Sequence, residues 1–102
     1  MIIIQGFIRT APENAAKFKE AAAAVIAATR QEPGCISYCY GEDLAEPGLF
    51  HIAERWADDA AIAAHNKAPH FLAFSAALPA IGITGIRIAR YDTDAEKVLF
   101  GA

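Results

Sequence analysis

The chain reads as an α+β protein with the element order β-α-β-β-α-β, and three observations lead there. "IIIQGFIR" at the start and "LFHIAERWA" in the middle are rich in branched and aromatic residues and alternate along their length, which is strand behaviour. Between and after them lie alanine-rich stretches whose larger apolar residues recur every three or four positions, which is helix behaviour. Glycines, prolines and acidic residues cluster between the two kinds of segment.

Residues 2–9 form the first strand, with Ile2, Ile4 and Ile8 on one face and Ile3 and Phe7 on the other. "TAPE" reads as a helix start: Thr10 caps, Pro12 occupies the first turn and Glu13 reaches back. The helix runs to about Arg30 on a stripe of Phe18, Ala22, Val25, Ile26 and Thr29, with Glu13 and Lys17 paired one turn apart on its wet side. "EPG" (Glu32 to Gly34) stops it. The second strand is residues 35–40, with Ile36, Tyr38 and Tyr40 sharing a face. After the polar turn "GEDLAEPG" the third strand runs from Leu49 to Ala57. It places Phe50, Ile52, Glu54 and Trp56 on one face and Leu49, His51, Ala53 and Arg55 on the other.

Asp58 caps a short helix that carries Ile62, His65 and Asn66. Pro69 ends it and permits another, along which Phe71, Phe74 and Leu78 line up, and Pro79 closes that one. Residues 83–91 form the last strand, followed by a tail ending in "KVLFGA". This order is that of the ferredoxin-like split βαβ arrangement, a four-stranded antiparallel sheet with its helices on one face. The whole chain, 1–102, reads as a single domain. The first strand is apolar on both faces, so the face without helices needs its own cover. A second copy of the same sheet supplies it, and the expected assembly is a homodimer, a dimeric α/β barrel.

Composition narrows the function. The hydrophobic fraction of 55% exceeds the roughly 45–50% of ordinary soluble chains, much of it through alanine. A net charge of −3 without any Lys/Arg cluster argues against nucleic acid or an anionic membrane surface as partner. No stretch approaches the roughly 20 apolar residues of a membrane span. The start lacks the marks of a signal peptide, so a cytoplasmic protein is expected. Cys35 and Cys39, on one face of a strand, would lie about 13 Å apart, too far for a disulfide. Their spacing is not that of a zinc site, and no metal site is expected. They read as buried, reduced thiols.

No phosphate-binding glycine loop and no Gly-x-Ser-x-Gly elbow is present. What stands out is a set of polar and aromatic groups on otherwise apolar faces: Glu54, Trp56, His65, Asn66 and His70. Trp56 ends a strand and His65 lies on the helix that folds back over the sheet, so both approach one region between helix and sheet. A histidine there can serve as a neutral base, and Trp56 offers a flat wall for an aromatic ligand. Phe71, Phe74, Tyr38 and Ile52 supply further lining. Each also has a structural use. A helical histidine is commonly a surface or capping residue, His70 suits a helix start, Trp56 suits a core, and Glu54 could pair with Arg9 or Arg87 across the sheet.

The runs "EPGCISYCY", "FHIAERW" and "AHNKAPHF" together resemble the antibiotic biosynthesis monooxygenase family of small dimeric α+β barrels. The residues that carry the resemblance are Glu32, Gly34 and Cys35, then Glu54 and Trp56, then His65 and His70. It implies a ligand pocket between helices and sheet with Trp56 and His65 pointing into it. Families of this kind include cofactor-free oxygenases of phenols, anthrones and hydroquinones, haem degraders, and isomerases of a small phosphorylated signal molecule. The haem degraders' asparagine on the first strand has no counterpart in "QGFIRT", so haem degradation is disfavoured. The anthrone oxygenases' asparagine falls at Ile52, and the match is closest to the quinol-oxidising members.

The leading expectation is therefore a cofactor-independent monooxygenase that turns a small electron-rich aromatic and O2 into a quinone. His65 would be the base and Trp56 would stack on the ring. His70 and Glu54 would orient His65, and Asn66 would donate a hydrogen bond. The rivals are an isomerase or other acid–base enzyme on a small metabolite, and a ligand-binding dimer without turnover.

Overall fold

Alternation in the two central strands decides which face of the sheet the helices cover. The computed structural model describes residues 1–101. The strands are β1 (Ile2–Thr10), β2 (Cys35–Glu42), β3 (Leu49–Trp56) and β4 (Ile83–Asp92). The helices are α1 (Ala15–Thr29), α2 (Asp59–Lys67) and α3 (Pro69–Ile81). All strand pairs are antiparallel and the sheet order is β2-β3-β1-β4, as the ferredoxin-like pattern requires. β1 pairs with β3 so that Ile2 faces Trp56, Ile4 faces Glu54 and Ile8 faces Phe50. Residues opposite one another share a face, so this register sets all six on the helical side. Phe18 of α1 fills the centre of that layer, with its ring 4.4 Å from Phe50, 5.9 Å from Phe74 and 6.2 Å from Tyr40. Ala22, Val25 and Thr29 continue the buried stripe of α1.

The helix start departs from the expected capping box. Thr10 belongs to the end of β1: its N–H donates to the Gly48 carbonyl at 2.8 Å and its hydroxyl to the Ala11 carbonyl at 3.0 Å. With that side chain engaged elsewhere, Pro12–Asn14 form a 3₁₀ turn with no side-chain cap, and α1 begins at Ala15. Glu13 falls in that turn, so no ion pair with Lys17 forms among the described residues.

Pro79 does not close its helix either. α3 continues to Ile81, and Gly82, in the left-handed region at φ +84°, ends it with its N–H on the Leu78 carbonyl at 3.1 Å. Proline removes one helical hydrogen bond, and burial of Ile81 in the following turn offsets the loss.

A bulge shifts the β2–β3 register between Cys35 and Ser37. It corrects two expectations. Ile36 leaves the face of Tyr38 and Tyr40 and is exposed, and Cys35 turns to the core while Cys39 faces out. Both thiols are free.

Among the described residues, no helix covers the other side of the sheet. Ile3, Phe7, Leu49 and Arg55 are half-buried there, and Tyr91 is exposed. The tail crosses the Met1 end of this face: Thr93 N–H donates to the Met1 carbonyl at 3.1 Å and Glu96 pairs with Arg55. Val98, Leu99 and Phe100 beyond it are exposed. Among the described residues, no helix is long and apolar enough to cross a membrane.

Gly34 joins the α1–β2 turn to α2. It adopts φ +83°, and a Cβ there would sit 2.6 Å from the Ala61 Cβ. Gly34→Ala is expected to lower stability by about 2–4 kcal/mol through backbone strain plus overpacking. Urea unfolding measures it, and an unchanged midpoint would mean that the turn and α2 can move apart freely.

Candidate functional site

Three short segments, distant in sequence, meet at one end of the sheet. The first is the turn after α1, where Glu32 N–H donates to the Thr29 carbonyl at 3.0 Å and Ala57 N–H donates to the Gly34 carbonyl at 2.9 Å. These bonds lash the turn to the end of β3. The second is α2, started by Asp58, whose carboxylate accepts from the Ala61 N–H at 2.9 Å. The third is the start of α3. Ala68 is extended, as a residue before proline prefers, so the chain bends between α2 and α3. The bend brings the His65 and His70 rings within 6.2 Å of each other, both towards Glu32.

One oxygen of Glu32 serves both histidines. Its Oε2 lies 2.8 Å from His65 Nδ1 and 2.7 Å from His70 Nε2. A carboxylate only accepts, so both nitrogens carry the hydrogen. In neutral His65 the lone pair is then on Nε2, the arrangement of a base whose tautomer is set by an acidic neighbour. Partial burial pushes the Glu32 carboxyl up, but the hydrogen bonds and charges of the two histidines outweigh it and the net shift is downward. Glu32 is thus an anion over the working range of pH. His65 itself is 3% exposed and wedged by Phe71 at 4.6 Å, Trp56 at 4.8 Å and Tyr38 at 5.5 Å between ring centres.

A second polar pair lies beside it. Trp56 Nε1 donates to Glu54 Oε1 at 2.9 Å, and both side chains are buried. Burial pushes the Glu54 carboxyl up, the Trp56 hydrogen bond pulls it partly back, and the charge of Glu32 pushes it further up. The Tyr38 and Tyr40 hydroxyls are 3.0 Å apart. Burial raises the Tyr40 phenol to about 12 and pushes Tyr38 up as well, so neither is a base near neutral pH. Burial also pushes the Cys35 thiol up, against a role as nucleophile.

A cavity of roughly 250 Å³ opens between the sheet and α2–α3. Of the residues expected at the site, Trp56, His65, Glu54, Asn66, Phe71 and Phe74 line it. Tyr38 and Ile52 do not; they lie buried behind it, and the next inward residue of β2, Tyr40, reaches the cavity instead. His70 faces a separate groove between α1 and α3, beside Ala21 and Val25. Nor does Glu54 orient His65, because its bond goes to Trp56. The hydrogen-bond partner of His65 is Glu32, which sequence reasoning named in a helix stop and in the family resemblance but did not assign to the site.

Also missed were Ile4, Ile8, Ile62, Ser75, Leu78, Ile86 and Ile88. Helix spacing puts Ser75 and Leu78 on the side of Phe71, and strand alternation groups Ile4 with Ile8. That Ile86 and Ile88 join them depends on the β1–β4 register, which aligns Ile8 with Ile86 and Gly6 with Ile88.

With this geometry in place the chain can be compared with known proteins. A family model described as antibiotic biosynthesis monooxygenase matches residues 1–77. The chain belongs to this family. A crystal structure from Deinococcus radiodurans, described as a candidate antibiotic biosynthesis monooxygenase, superposes with a TM-score of 0.91 at 32% identity, over 99% of this chain and 100% of that one. YcnE of Bacillus subtilis, a candidate monooxygenase by name, is 34% identical over 76 residues, which is 74% of this chain and 80% of YcnE. A shorter similarity, 44% over 41 residues, links 40% of the chain to 43% of a Yersinia enterocolitica protein named as a 4-hydroxy-5-phosphonooxypentane-2,3-dione isomerase.

The opposite shifts of the two carboxyls have a testable signature. Glu54, raised above its ordinary 4.5, contributes stability that is present below that value and is lost as pH rises through its folded pKa. Glu32, lowered, contributes stability that is present above 4.5 and is lost as pH falls. Glu54→Gln is therefore expected to gain on the parent as pH rises from 4 towards 7. Glu32→Gln should fall behind, by about 1–3 kcal/mol at pH 7. Urea titrations at both pH values decide it; parallel profiles for parent and variants would contradict the assignment.

Proposed function

We propose that the protein is a cofactor-independent monooxygenase that oxidises an electron-rich aromatic of the hydroquinone, phenol or anthrone type to a quinone. The observation that carries this reading is a buried histidine of fixed tautomer at an apolar cavity. His65, with Nδ1–H held by Glu32 at 2.8 Å, lies beside Trp56 in a space walled mainly by isoleucine, leucine and phenylalanine. Such a site takes a flat apolar ligand and offers it one acceptor nitrogen.

The chemistry then needs only the substrate and O2. His65 Nε2 takes the phenolic proton, and Glu32 stabilises the imidazolium that forms. The electron-rich anion passes one electron to O2, and the resulting superoxide combines with the substrate radical at a ring carbon that bears hydrogen, para to the oxygen in a phenol or anthrone and beside it in a hydroquinone. The proton held by His65 makes the adduct a hydroperoxide. The hydroperoxide loses water and that carbon becomes a carbonyl, which gives the quinone from a phenol or anthrone and the hydroxyquinone from a hydroquinone. One atom of O2 stays in the product, the other leaves as water, and the substrate supplies every electron. Trp56 stacks on the ring. Glu54, whose burial favours its protonated form, and Asn66 are the donors to the developing oxyanion. Phe71 and Phe74 close the walls, Tyr38 and Ile52 support them from behind, and His70 steadies Glu32.

The similarity to the Yersinia isomerase favours a second reading, acid–base isomerisation of a small metabolite by the same histidine. Against a phosphorylated substrate, no lysine or arginine lines the cavity, and Lys67 is exposed outside it. A phosphate would meet the Glu54 carboxyl without a counter-charge. Oxygen uptake by metal-stripped protein on a panel of hydroquinones and anthrones separates the two. Uptake is expected to fall about 10²–10⁴-fold in His65→Ala and substantially in Glu32→Gln. Isomerisation of hydroxy-dione phosphates without oxygen uptake would instead establish the second reading.

A second copy of the chain is the proposed cover for the helix-free face of the sheet, where Ile3 and Phe7 lie half-buried. Ile3→Glu is expected to shift the protein from dimer to monomer in light scattering. A parent that is monomeric throughout would remove this part of the proposal.

A further inference from the structure

We infer that Glu32, His65 and His70 form a binding site for one divalent cation of the zinc class, on the edge of the His65 ring opposite to the one that serves the cavity. The donor set is the first argument. Two imidazole nitrogens and one carboxylate oxygen, all within 4.8 Å of one another, make up the N,N,O combination that Zn²⁺ accepts, leaving a fourth position open. Softer or harder cations are less suited: no thiolate points here, and a single carboxylate is too little for Ca²⁺ or Mg²⁺.

Geometry is the second argument. Tetrahedral zinc with bonds near 2.0–2.1 Å holds its ligand atoms about 3.3 Å apart. The N–O separations here are 2.8 and 2.7 Å, the lengths of N–H···O bonds. The two nitrogens lie up to 4.8 Å apart, so the cation enters as the His70 ring swings inward and Glu32 retreats by roughly half an ångström, each imidazole moving its hydrogen to its other nitrogen. The environment allows that retreat. His65 is fixed by Trp56 and Phe71, but the Glu32 carboxylate sits on a turn at the edge of a shallow surface groove beside Ala61 and Ala64, and the His70 side chain is 26% exposed. One rigid ligand, two adjustable ligands and an open approach are what a capturing site needs.

Occupancy would act on the cavity through the imidazole. With a cation on Nδ1, neutral His65 carries its hydrogen on Nε2, so the cavity-side nitrogen changes from proton acceptor to donor. This consequence rests on the reading of His65 as base; the site itself does not. Zinc would then be a reversible inhibitor of proton abstraction, held outside the substrate cavity.

The test is calorimetric titration of Zn²⁺ into the metal-free protein. A single site per chain is expected. His70→Gln and Glu32→Gln should each weaken it about tenfold or more, since even residues that only support a ligand change metal affinity 10–100-fold. His51→Gln is the control, because His51 pairs with Asp43 at 2.9 Å on the surface and is the only other histidine. It should leave binding intact. No saturable binding, binding unaffected by both Gln variants, or loss in His51→Gln would overturn the site. Should Glu32→Gln fail to fold, the partly exposed His70 decides alone. Where oxygen uptake is measurable, half-inhibition by Zn²⁺ should fall at the calorimetric Kd. Tight binding without inhibition would leave the site standing and count against His65 as the base.

Discussion

A single carboxylate oxygen, Glu32 Oε2, joins the turn after α1 to the bend between α2 and α3. Few buried polar contacts do as much here. His65 is enclosed by aromatic rings, and without a partner its Nδ1–H would be an unsatisfied donor in a low-dielectric layer, at a cost of about 1–3 kcal/mol. Glu32 removes that cost, selects the tautomer and fixes the ring plane at once. His70, on the far side, uses the second lone-pair direction of the same oxygen. The turn bearing Glu32 holds its position because backbone bonds from Ala57 and within the turn fasten it to the ends of β3 and α1.

Beside this pair the Trp56–Glu54 bond shows how one environment treats two carboxyls in opposite ways. Glu32 receives two charge-assisted donors and stays ionised, whereas Glu54 receives one indole N–H inside an apolar layer and tends to hold its proton. A fixed anion behind the proposed base and a protonatable acid in the cavity wall is a division of labour suited to proton chemistry. The zinc class of cation would intrude on the first of these and leave the second untouched.

Much of the fold was legible because alternation and helical spacing are local properties. Ile2, Ile4 and Ile8, the face of Phe50 to Trp56, and the stripe from Phe18 to Thr29 all follow from neighbours within a few residues. The errors arose where a distant group competed for a local one. Thr10 could not cap a helix because Gly48, across the sheet, held its backbone in the strand. Pro79 did not end α3 because packing of Ile81 outweighed one lost hydrogen bond. The β2 bulge, which re-aimed Ile36 and Cys35, reflects pairing with β3 and leaves no mark on the alternation itself.

The candidate site divides in the same way. Sequence alone determined the residue types and their faces: Trp56 and Glu54 two apart on one side of a strand, and His65 on the helix that returns over it. Only the tertiary structure decided which carboxylate each polar group met. Glu32 and His65 are 33 residues apart, and no periodicity links them. Their meeting depends on the register of β3 against β2, on the left-handed turn at Gly34, and on the bend at Ala68. Those are long-range choices, set by the burial of whole faces rather than by any short run of residues.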